Sequence, residues 1–443
     1  MNTIIGMVLV LGVIILVHEW GHFIAARFFG VRVDVFSIGF GPRLFGMKRG
    51  ATDWRVSMLP LGGYVRMAGQ DITDIDSGEQ APTGSPDELM SKKRWQRAVI
   101  SFAGPAVNLV FPIVLLGGYF LIAGVPYLKF ERQPVVVNQL SPARSEAVNG
   151  LQAGDQVVLL NGMKNPNWDL AAKILSQVNP GGKVSVEVEN GGTLRHLDLP
   201  VTNDPKAHVF GYLPILPMIG EVIAGTPASR AGLQMGDVIR VVDGQKIAYW
   251  DEFVDQVRGS GGKPLKVEVE RKGQPVELTI TPKQGLAEVT DKNYQIGVAP
   301  HFDYGYQRVG PRGAVLEASI RTEDYVTGTF AVVGKLFSGR VSVKQLQSVV
   351  GISRVAGQAV SEGAASVVLF MALISVNLGI LNLLPIPILD GGHILLLSME
   401  GIRRRDFSLT FKERFIQVGL VFLLVLFAYV MYNDVVRLLP SHS

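Results

Sequence analysis

The stretch IIGMVLVLGVIILVHEWGH, residues 4–22, places two histidines and a glutamate at the end of a long apolar run. That first apolar block continues to residue 29, and three more occupy residues 98–124, 364–389 and 415–432. Each block has roughly the 20-residue length with which a helix crosses the hydrocarbon core of a bilayer. The sequence therefore predicts a multi-pass α-helical membrane protein with four spans.

The composition limits the chemistry of any metal site. The 443 residues include no cysteine, so a metal must be bound through nitrogen and oxygen, and disulfides are excluded. The formal net charge is only +4, and no basic stripe with interleaved aromatic residues is present. We therefore expect no nucleic-acid partner.

The distribution of lysine and arginine predicts how the spans are oriented. Basic residues are dense in segments 30–97 and 390–414, and short basic loops stay in the cytoplasm. Both termini and the long insert between the second and third spans are then expected to face outward, toward the periplasm of a cell that has one. The first block lacks a charged start and a small-residue cleavage site, so we expect it to remain in the cell inner membrane rather than to be removed as a signal peptide.

The insert contains the same unit twice. GLQAGD at residues 150–155 recurs as GLQMGD at 232–237, and the NG and WD pairs that follow recur as DG and WD in the same register. Each unit reads as a strand with a tight turn, a helix and a hairpin. This order resembles PDZ domains of the circularly permuted type, which bind extended peptides by strand addition. We expect the pair to bind periplasmic peptide segments or to exclude bulky ones, and spacer domains are the alternative.

A candidate metal site lies within the first span. His18 and His22 are four residues apart and share one face of a helix, while Glu19 stands beside them. This is the HExxH pattern of zinc peptidases, in which the glutamate takes a proton from a water molecule. Titratable side chains inside a bilayer are costly unless they have a function. The sequence therefore predicts a zinc site at the cytoplasmic end of the first span.

A third protein ligand is expected near the end of the third span, since catalytic zinc normally has three. Asp390 follows Pro385 and Pro387, which break a helix, and a broken helix at membrane depth is tolerated where it lines a cavity. The orientation above places Asp390 on the cytoplasmic side, as it does His18. His393 is a rival ligand that the sequence alone does not exclude.

These motifs together resemble the site-2 protease family. The resemblance rests on HEWGH, on SFAGPAVN at 101–108, on NLLPIPILDG at 382–391, on the PDZ-like insert, and on SIGFGPRLF and LPLGGYVRM at 37–45 and 59–67. It implies a zinc metalloendopeptidase that acts in regulated intramembrane proteolysis. The implied substrate is a single-span membrane protein of the anti-sigma factor type, cut within its span after another protease has removed its outer domain. Remnant signal peptides are a second implied class.

The resemblance also implies roles for individual residues. His18, His22 and Asp390 would bind Zn²⁺, and Glu19 would be the general acid and base. Segments 39–45 and 59–67 would form a hairpin that enters the membrane, contacts lipid and presents an edge to the substrate. The implied substrate-binding residues are Asn382, Asn377, Gly39, Gly41, Gly62 and Gly63.

The predicted fold class is thus a four-span helical membrane protein with an inserted tandem of circularly permuted, mainly β PDZ domains and a membrane-associated β-hairpin. A non-catalytic scaffold is disfavoured because Glu19 is intact, and a transporter because the four spans show no internal repeat. The predicted segments are 1–30 (first span), 31–97 (cytoplasmic or re-entrant β segment), 98–124 (second span), 125–207 and 208–300 (PDZ domains), 301–362 (linker with membrane-surface helices), 363–393 (third span) and 394–443 (loop, fourth span and tail).

Overall fold

A computed structural model of the chain describes residues 2–69, 84–138, 150–179, 181–201, 209–286, 291–341 and 349–438. The helices are α1 Asn2–Phe28, α2 Arg94–Ala123, α3 Trp168–Ser176, α4 Pro227–Arg230, α5 Trp250–Gly259, α6 Pro311–Phe337, α7 Val349–Glu362, α8 Ala364–Asn382, α9 Asp390–Arg403 and α10 Leu409–Leu438. The strands of the hairpin and of the first half of the insert are β1 Val33–Arg49, β2 Thr52–Met67, β3 Val125–Leu128, β4 Gln156–Leu160, β5 Met163–Lys164, β6 Lys183–Asn190 and β7 Thr193–Pro200. The remaining strands are β8 Ile219–Val222, β9 Val238–Val242, β10 Gln245–Lys246, β11 Leu265–Arg271, β12 Gln274–Ile280, β13 Val298–Pro300 and β14 Tyr304–Gln307.

The chain divides into a helical unit, residues 1–125 and 308–443, and an insert, residues 126–307. Among the described residues of the helical unit, four helices are long and apolar enough to cross a membrane: α1, α2, α8 and α10. They correspond to the four apolar blocks of the sequence. Helix α8 ends at Asn382, before the end of its apolar block, because Pro385 and Pro387 follow.

Helix α1 carries a small β-sheet on one side. Strands β1 and β2 pair so that residues 35–38 lie between residues 53–56 and residues 63–66. Trp20 and Phe23 of α1 pack on Phe36 and Trp54 of the sheet, with ring centroids 4.9–5.9 Å apart. These aromatic contacts hold the sheet against the part of α1 that carries the HExxH pattern.

Helix α6 lies in segment 301–362, for which the sequence predicts a linker. Ala314 and Ala318 are fully buried with Leu116 and Phe120 of α2 and Ala372 of α8. Small residues of this kind allow two helices to approach closely. Helix α6 is therefore a packed part of the helical unit, while its expected position along the membrane surface stays a prediction.

The insert contains two four-stranded sheets with the same strand order, β5-β4-β6-β7 and β10-β9-β11-β12. The NG and DG pairs form the tight turns after β4 and β9, with positive φ at Asn161, Gly162, Asp243 and Gly244, as two-residue hairpin turns require. Each sheet has its own apolar core. The predicted boundary at 207/208 lies outside the described residues.

Each half of the insert also contains a buried ion pair of the same kind. Asp155 is fully buried, accepts the amide of Gln152 and pairs with Arg195. Asp237 likewise accepts the amide of Gln234, and Arg271 donates to it from Nε and Nη2 at 2.8 and 2.7 Å. The aspartate that ends each GLQ-x-GD motif is thus a fold determinant of its own half.

Candidate metal centre

Three side chains from two distant parts of the chain meet in the helical unit. His18 Nε2 lies 3.2 Å from Asp390 Oδ2, and His22 Nε2 lies 3.4 Å from Asp390 Oδ1. The two Nε2 atoms are 3.2 Å apart. Their ligand atoms form a group that could hold one metal ion.

The spacing of these atoms fits a tetrahedral zinc ion. Zinc binds nitrogen and carboxylate oxygen at about 2.0–2.2 Å, which puts neighbouring ligand atoms about 3.3 Å apart at tetrahedral angles. The two Nε2 atoms are 3.2 Å apart, and each lies 3.2–3.4 Å from a different carboxylate oxygen of Asp390, with one ligand atom from each residue within 4.8 Å of the others. Two imidazoles and a carboxylate are also the nitrogen and oxygen donor set that a chain without cysteine must use.

The break between α8 and α9 brings Asp390 to the histidines. Asp390 is the first residue of α9, and Ile388 before it has φ +79°, a conformation that is costly for a β-branched residue. A Cβ at Gly391 would overlap the carbonyl oxygens of Leu383 and Leu384. The chain therefore turns tightly enough that only glycine fits behind the carboxylate.

Helix α2 makes room for His22 and bonds to it. A Cβ at Gly21 would stand 2.5 Å from the carbonyl oxygen of Ala103 and 2.9 Å from Cα of Gly104, so α1 and α2 touch backbone to backbone. His22 Nδ1 lies 2.8 Å from the carbonyl oxygen of Ile100, which can only accept a proton. The imidazole thus keeps its Nε2 lone pair for the cluster.

Glu19 lies between the cluster and the sheet. The backbone of Val65 in β2 lies close to its carboxylate. A Cβ at Gly63 would stand 3.3 Å from Glu19 Cγ, so the glycine lets residues 63–66 pass close to the glutamate. Among the described residues, β1 is the only strand that pairs with residues 63–65 of β2.

Of the two predicted substrate-binding asparagines, one lies beside the cluster and the other contacts a different helix. Asn382 Nδ2 lies 3.3 Å from His18 Nε2, so this amide is beside the cluster. Asn377 is about 140° away around α8, and its Oδ1 accepts a 2.6 Å hydrogen bond from Thr329 of α6. His393, the rival ligand, is exposed on α9 and is not part of the group of ligand atoms.

The predicted glycines lie in the sheet beside the cluster. Gly39 and Gly41 have φ +92° and +87°, which ordinary residues rarely adopt. A Cβ at Gly62 would overlap the ring of Phe40. Of the four predicted glycines, Gly63 is the one that the structure puts against Glu19.

Sequence reasoning assigned no role to three residues of α2 and α8 that support the site. Gly104 lies against the His22 ring, Asn108 contacts His18, and Ser375 Oγ donates to the carbonyl oxygen of Asn108 at 2.8 Å. A signal was present, because an asparagine within an apolar span is a functional candidate by the same argument as a histidine.

An apolar cavity of about 800 Å³ opens beside this part of α1. Leu16, Val17 and Trp20 line it from the helix, and the sheet and α2 complete it. Residues 16, 17 and 20 flank the HExxH histidine and glutamate in the sequence. The cavity can therefore take apolar side chains close to the candidate metal centre.

Comparison with known proteins identifies the family. The sequence model of peptidase family M50 matches residues 6–426. The regulator of sigma-E protease RseP of Salmonella typhimurium is 35% identical, over 97% of this chain and 98% of that protein. Its Escherichia coli counterpart is 33% identical over 97% and 98%. A Neisseria meningitidis protein named as a zinc metalloprotease is 33% identical over 99% and 100%. These similarities confirm the resemblance read from the motifs: the chain belongs to peptidase family M50, as a membrane-embedded, zinc-dependent metalloendopeptidase of the site-2 protease type.

Proposed function

We propose that this protease cuts a single-span membrane protein within its membrane segment. One observation carries the proposal: the His18, His22 and Asp390 group lies within the apolar span of α1, opposite a helix broken by prolines. A soluble substrate would not require a site built into such helices. An interrupted helix at membrane depth is tolerated where it lines a cavity that water can enter.

In the proposed chemistry, His18, His22 and Asp390 hold the zinc ion. Bound zinc supplies Lewis acidity, which makes water more acidic and polarises the peptide carbonyl. Glu19 takes a proton from the attacking water and passes it to the leaving nitrogen.

The substrate must present an extended backbone to the site. A membrane helix has its peptide groups hydrogen-bonded internally, and unwinding it exposes them. We infer that the unwound segment pairs with residues 63–65 of β2, beside which the described part of the chain places no strand other than β1. Asn382 would hydrogen-bond the substrate backbone next to His18, with Asn377 and the glycines 39, 41, 62 and 63 shaping the approach.

The proposed substrates follow from the names of the relatives. Two of them are named regulator of sigma-E protease RseP. An anti-sigma factor whose outer domain has already been removed is therefore our first candidate, and remnant signal peptides are the second. The basic segments 30–97 and 390–414 support an inner-membrane orientation with both termini and the insert in the periplasm, and with the site toward the cytoplasm.

We further propose that the two halves of the insert are PDZ domains of the circularly permuted type. Their common strand order and paired cores support this assignment. They would either bind periplasmic segments of the substrate or exclude substrates with bulky outer domains.

The test of the main proposal is cleavage by the purified full-length protein in detergent. The substrate is a single-span anti-sigma factor without its outer domain, and mass spectrometry locates the cut. We expect Glu19→Gln to retain zinc and to slow cleavage by about 100- to 10,000-fold. Glu323→Gln, which changes an exposed carboxylate on α6, is the matched control and should cleave like the wild type.

Two results would contradict the proposal. One is a cut outside the membrane segment of the substrate. The other is a Glu19→Gln variant that cleaves at the wild-type rate while wild-type cleavage resists a chelator. In that case the non-catalytic scaffold becomes the better interpretation.

A second assay separates the two proposed roles of the insert. Substrates with outer segments of increasing length are compared, each with two different carboxyl-terminal residues. A size filter predicts that the cleavage rate falls with length whatever the terminal residue. Carboxyl-terminal binding predicts that the terminal residue decides the rate at a fixed length.

A further inference from the structure

The histidine His18 can bind a metal through Nε2 only if its proton sits on Nδ1. A neutral imidazole has one nitrogen that donates and one that accepts, and the group bonded to the far nitrogen decides which is which. For His22 that group is the carbonyl oxygen of Ile100, which only accepts. For His18 it is the side-chain amide of Asn108, 3.2 Å from Nδ1.

Unlike a carbonyl oxygen, which only accepts, a side-chain amide can either donate or accept a hydrogen bond. In the structure the nitrogen of the Asn108 amide faces His18 Nδ1, and its Oδ1 is buried without a hydrogen-bond partner among the described residues. Rotation of the amide by 180° exchanges two ends of nearly equal shape. Either orientation leaves one end unpaired, so the amide itself has little preference.

The two orientations correspond to the two tautomers of His18. With the nitrogen toward Nδ1, the ring proton is on Nε2, where Asp390 Oδ2 at 3.2 Å can accept it. With the oxygen toward Nδ1, the ring proton is on Nδ1 and Nε2 presents a lone pair. Only the second tautomer can bind zinc, because a metal-binding nitrogen must be free of its proton.

We propose that Asn108 is a positioning residue that holds His18 in its zinc-binding tautomer, with Oδ1 accepting the Nδ1 proton. This inference rests on the proposed zinc ligands. Asn108 reaches neither the substrate nor the metal, and it acts through the orientation and the proton of His18.

The surroundings of Asn108 suit this role. The residue is fully buried, and Ser375 of α8 donates to its backbone oxygen at 2.8 Å. Helix α2 is therefore fixed from α8 at the residue that contacts the ligand on α1. The side chain of Asn382 is compatible with this tautomer, since its Nδ2 lies 3.3 Å from His18 Nε2 and can donate to a lone pair there.

The test is the zinc affinity of the purified full-length protein, measured by competition with a chromophoric chelator. We expect Asn108→Leu, which has nearly the same shape but no acceptor, to bind zinc about 10- to 100-fold more weakly. Asn108→Asp can only accept a proton from Nδ1, so its affinity should be within about threefold of the wild type or higher. Thr322→Val, a buried polar residue of α6 whose hydroxyl bonds its own helix, is the matched control.

A second measurement separates positioning from a structural role. The melting temperature of the chelated protein should be the same for wild type and Asn108→Leu, since the proposed role concerns metal binding. A chelated Asn108→Leu protein that melts well below the wild type, or an Asn108→Asp protein as weak as Asn108→Leu, overturns the proposal. So does an Asn108→Leu protein that binds zinc within threefold of the wild type.

Zinc binding by the wild type and by His18→Ala distinguishes a failure of the zinc-ligand assignment from a failure of the role proposed for Asn108. If the wild type binds one zinc ion and His18→Ala binds it far more weakly, the proposed ligands hold, and the Asn108 variants then test this inference alone. If the wild type and His18→Ala bind zinc equally, the ligand assignment and the role of Asn108 fall together.

Discussion

Replacement of Gly104 by alanine should remove His22 from the metal site. A Cβ at this position would stand 2.6 Å from Cε1 and 2.8 Å from Cδ2 of the His22 ring, with Nε2 closer still. Ordinary van der Waals contact begins near 3.4 Å, so the ring has to withdraw by about 0.8 Å at Cε1. Metal–ligand distances tolerate only about 0.2 Å.

This displacement of the His22 ring should weaken zinc binding. His22 cannot withdraw without also stretching its 2.8 Å hydrogen bond to the carbonyl oxygen of Ile100. The alternative, in which α1 moves away from α2, breaks the backbone contact at Gly21 and costs about 1–3 kcal/mol, as overpacking does. Either route weakens one of three ligands, and we expect zinc affinity to fall at least about 100-fold.

The assay compares zinc content after dialysis and the rate of substrate cleavage in Gly104→Ala and Gly118→Ala. Gly118 lies on the same helix, and a Cβ there has no atom within 4 Å. Alanine at this exposed position should leave zinc and cleavage unchanged and favour the helix by about 0.5–1 kcal/mol. A Gly104→Ala protein that keeps full zinc and wild-type activity would refute the argument that this glycine makes room for His22.

Three further predictions concern charged groups away from the metal. Glu400 is fully buried, with Lys412 Nζ at 3.1 Å and Arg97 Nη2 at 3.9 Å. Glu400→Gln leaves those two cations uncompensated, so we expect a loss of about 3–5 kcal/mol and a lower melting temperature in detergent, and an unchanged temperature would contradict it. In the insert, Arg271→Leu strips the buried Asp237 of its partner and should lower stability by about 3 kcal/mol, measured as faster limited proteolysis of the insert. Arg240→Leu, which breaks an exposed pair with Glu270, should cost no more than about 1 kcal/mol. Finally, the hydrogen bond from Arg94 lowers the pKa of Asp406. The pair then stabilises the fold above the unfolded pKa of about 3.9, and this contribution is lost as the pH falls through the lower folded pKa. Asp406→Asn should flatten the acid side of the melting-temperature profile, and an equally steep profile would argue against it.

The meeting of the three proposed ligands could be predicted because each leaves a local mark in the sequence. His18 and His22 have helical spacing inside an apolar block, and Asp390 follows two prolines on the same predicted side of the membrane. The structure brings Asp390, rather than His393, to the histidines, and the sequence alone favoured that choice without excluding its rival.

The supports of the ligands could not be predicted in the same way. The partner of His22 is a backbone carbonyl, which has no residue type to recognise. The room for His22 comes from a missing side chain at Gly104, and glycine is common in apolar spans for many reasons. The positive φ of Ile388 is likewise invisible in a sequence, because only the surrounding packing can hold isoleucine there. Asn377 is a different case: its Oδ1 accepts a hydrogen bond from Thr329 on a neighbouring helix, and its contact with the substrate stays a prediction.

Helix α2 explains why these supports cluster. The proposed ligands come from α1 and α9, yet α2 contributes Ile100, Gly104 and Asn108 along one side, each four residues from the next. A polar group inside an apolar span is costly alone, and here each histidine nitrogen that faces away from the cluster meets a polar group of α2. The close contact between α1 and α2 therefore also orients the two histidines for metal binding. It follows that zinc should stabilise the helical unit by the mass-action term RT ln(1 + [Zn]/Kd), about 4 kcal/mol at a thousand times Kd. A variant that separates α1 from α2 must lose most of that gain.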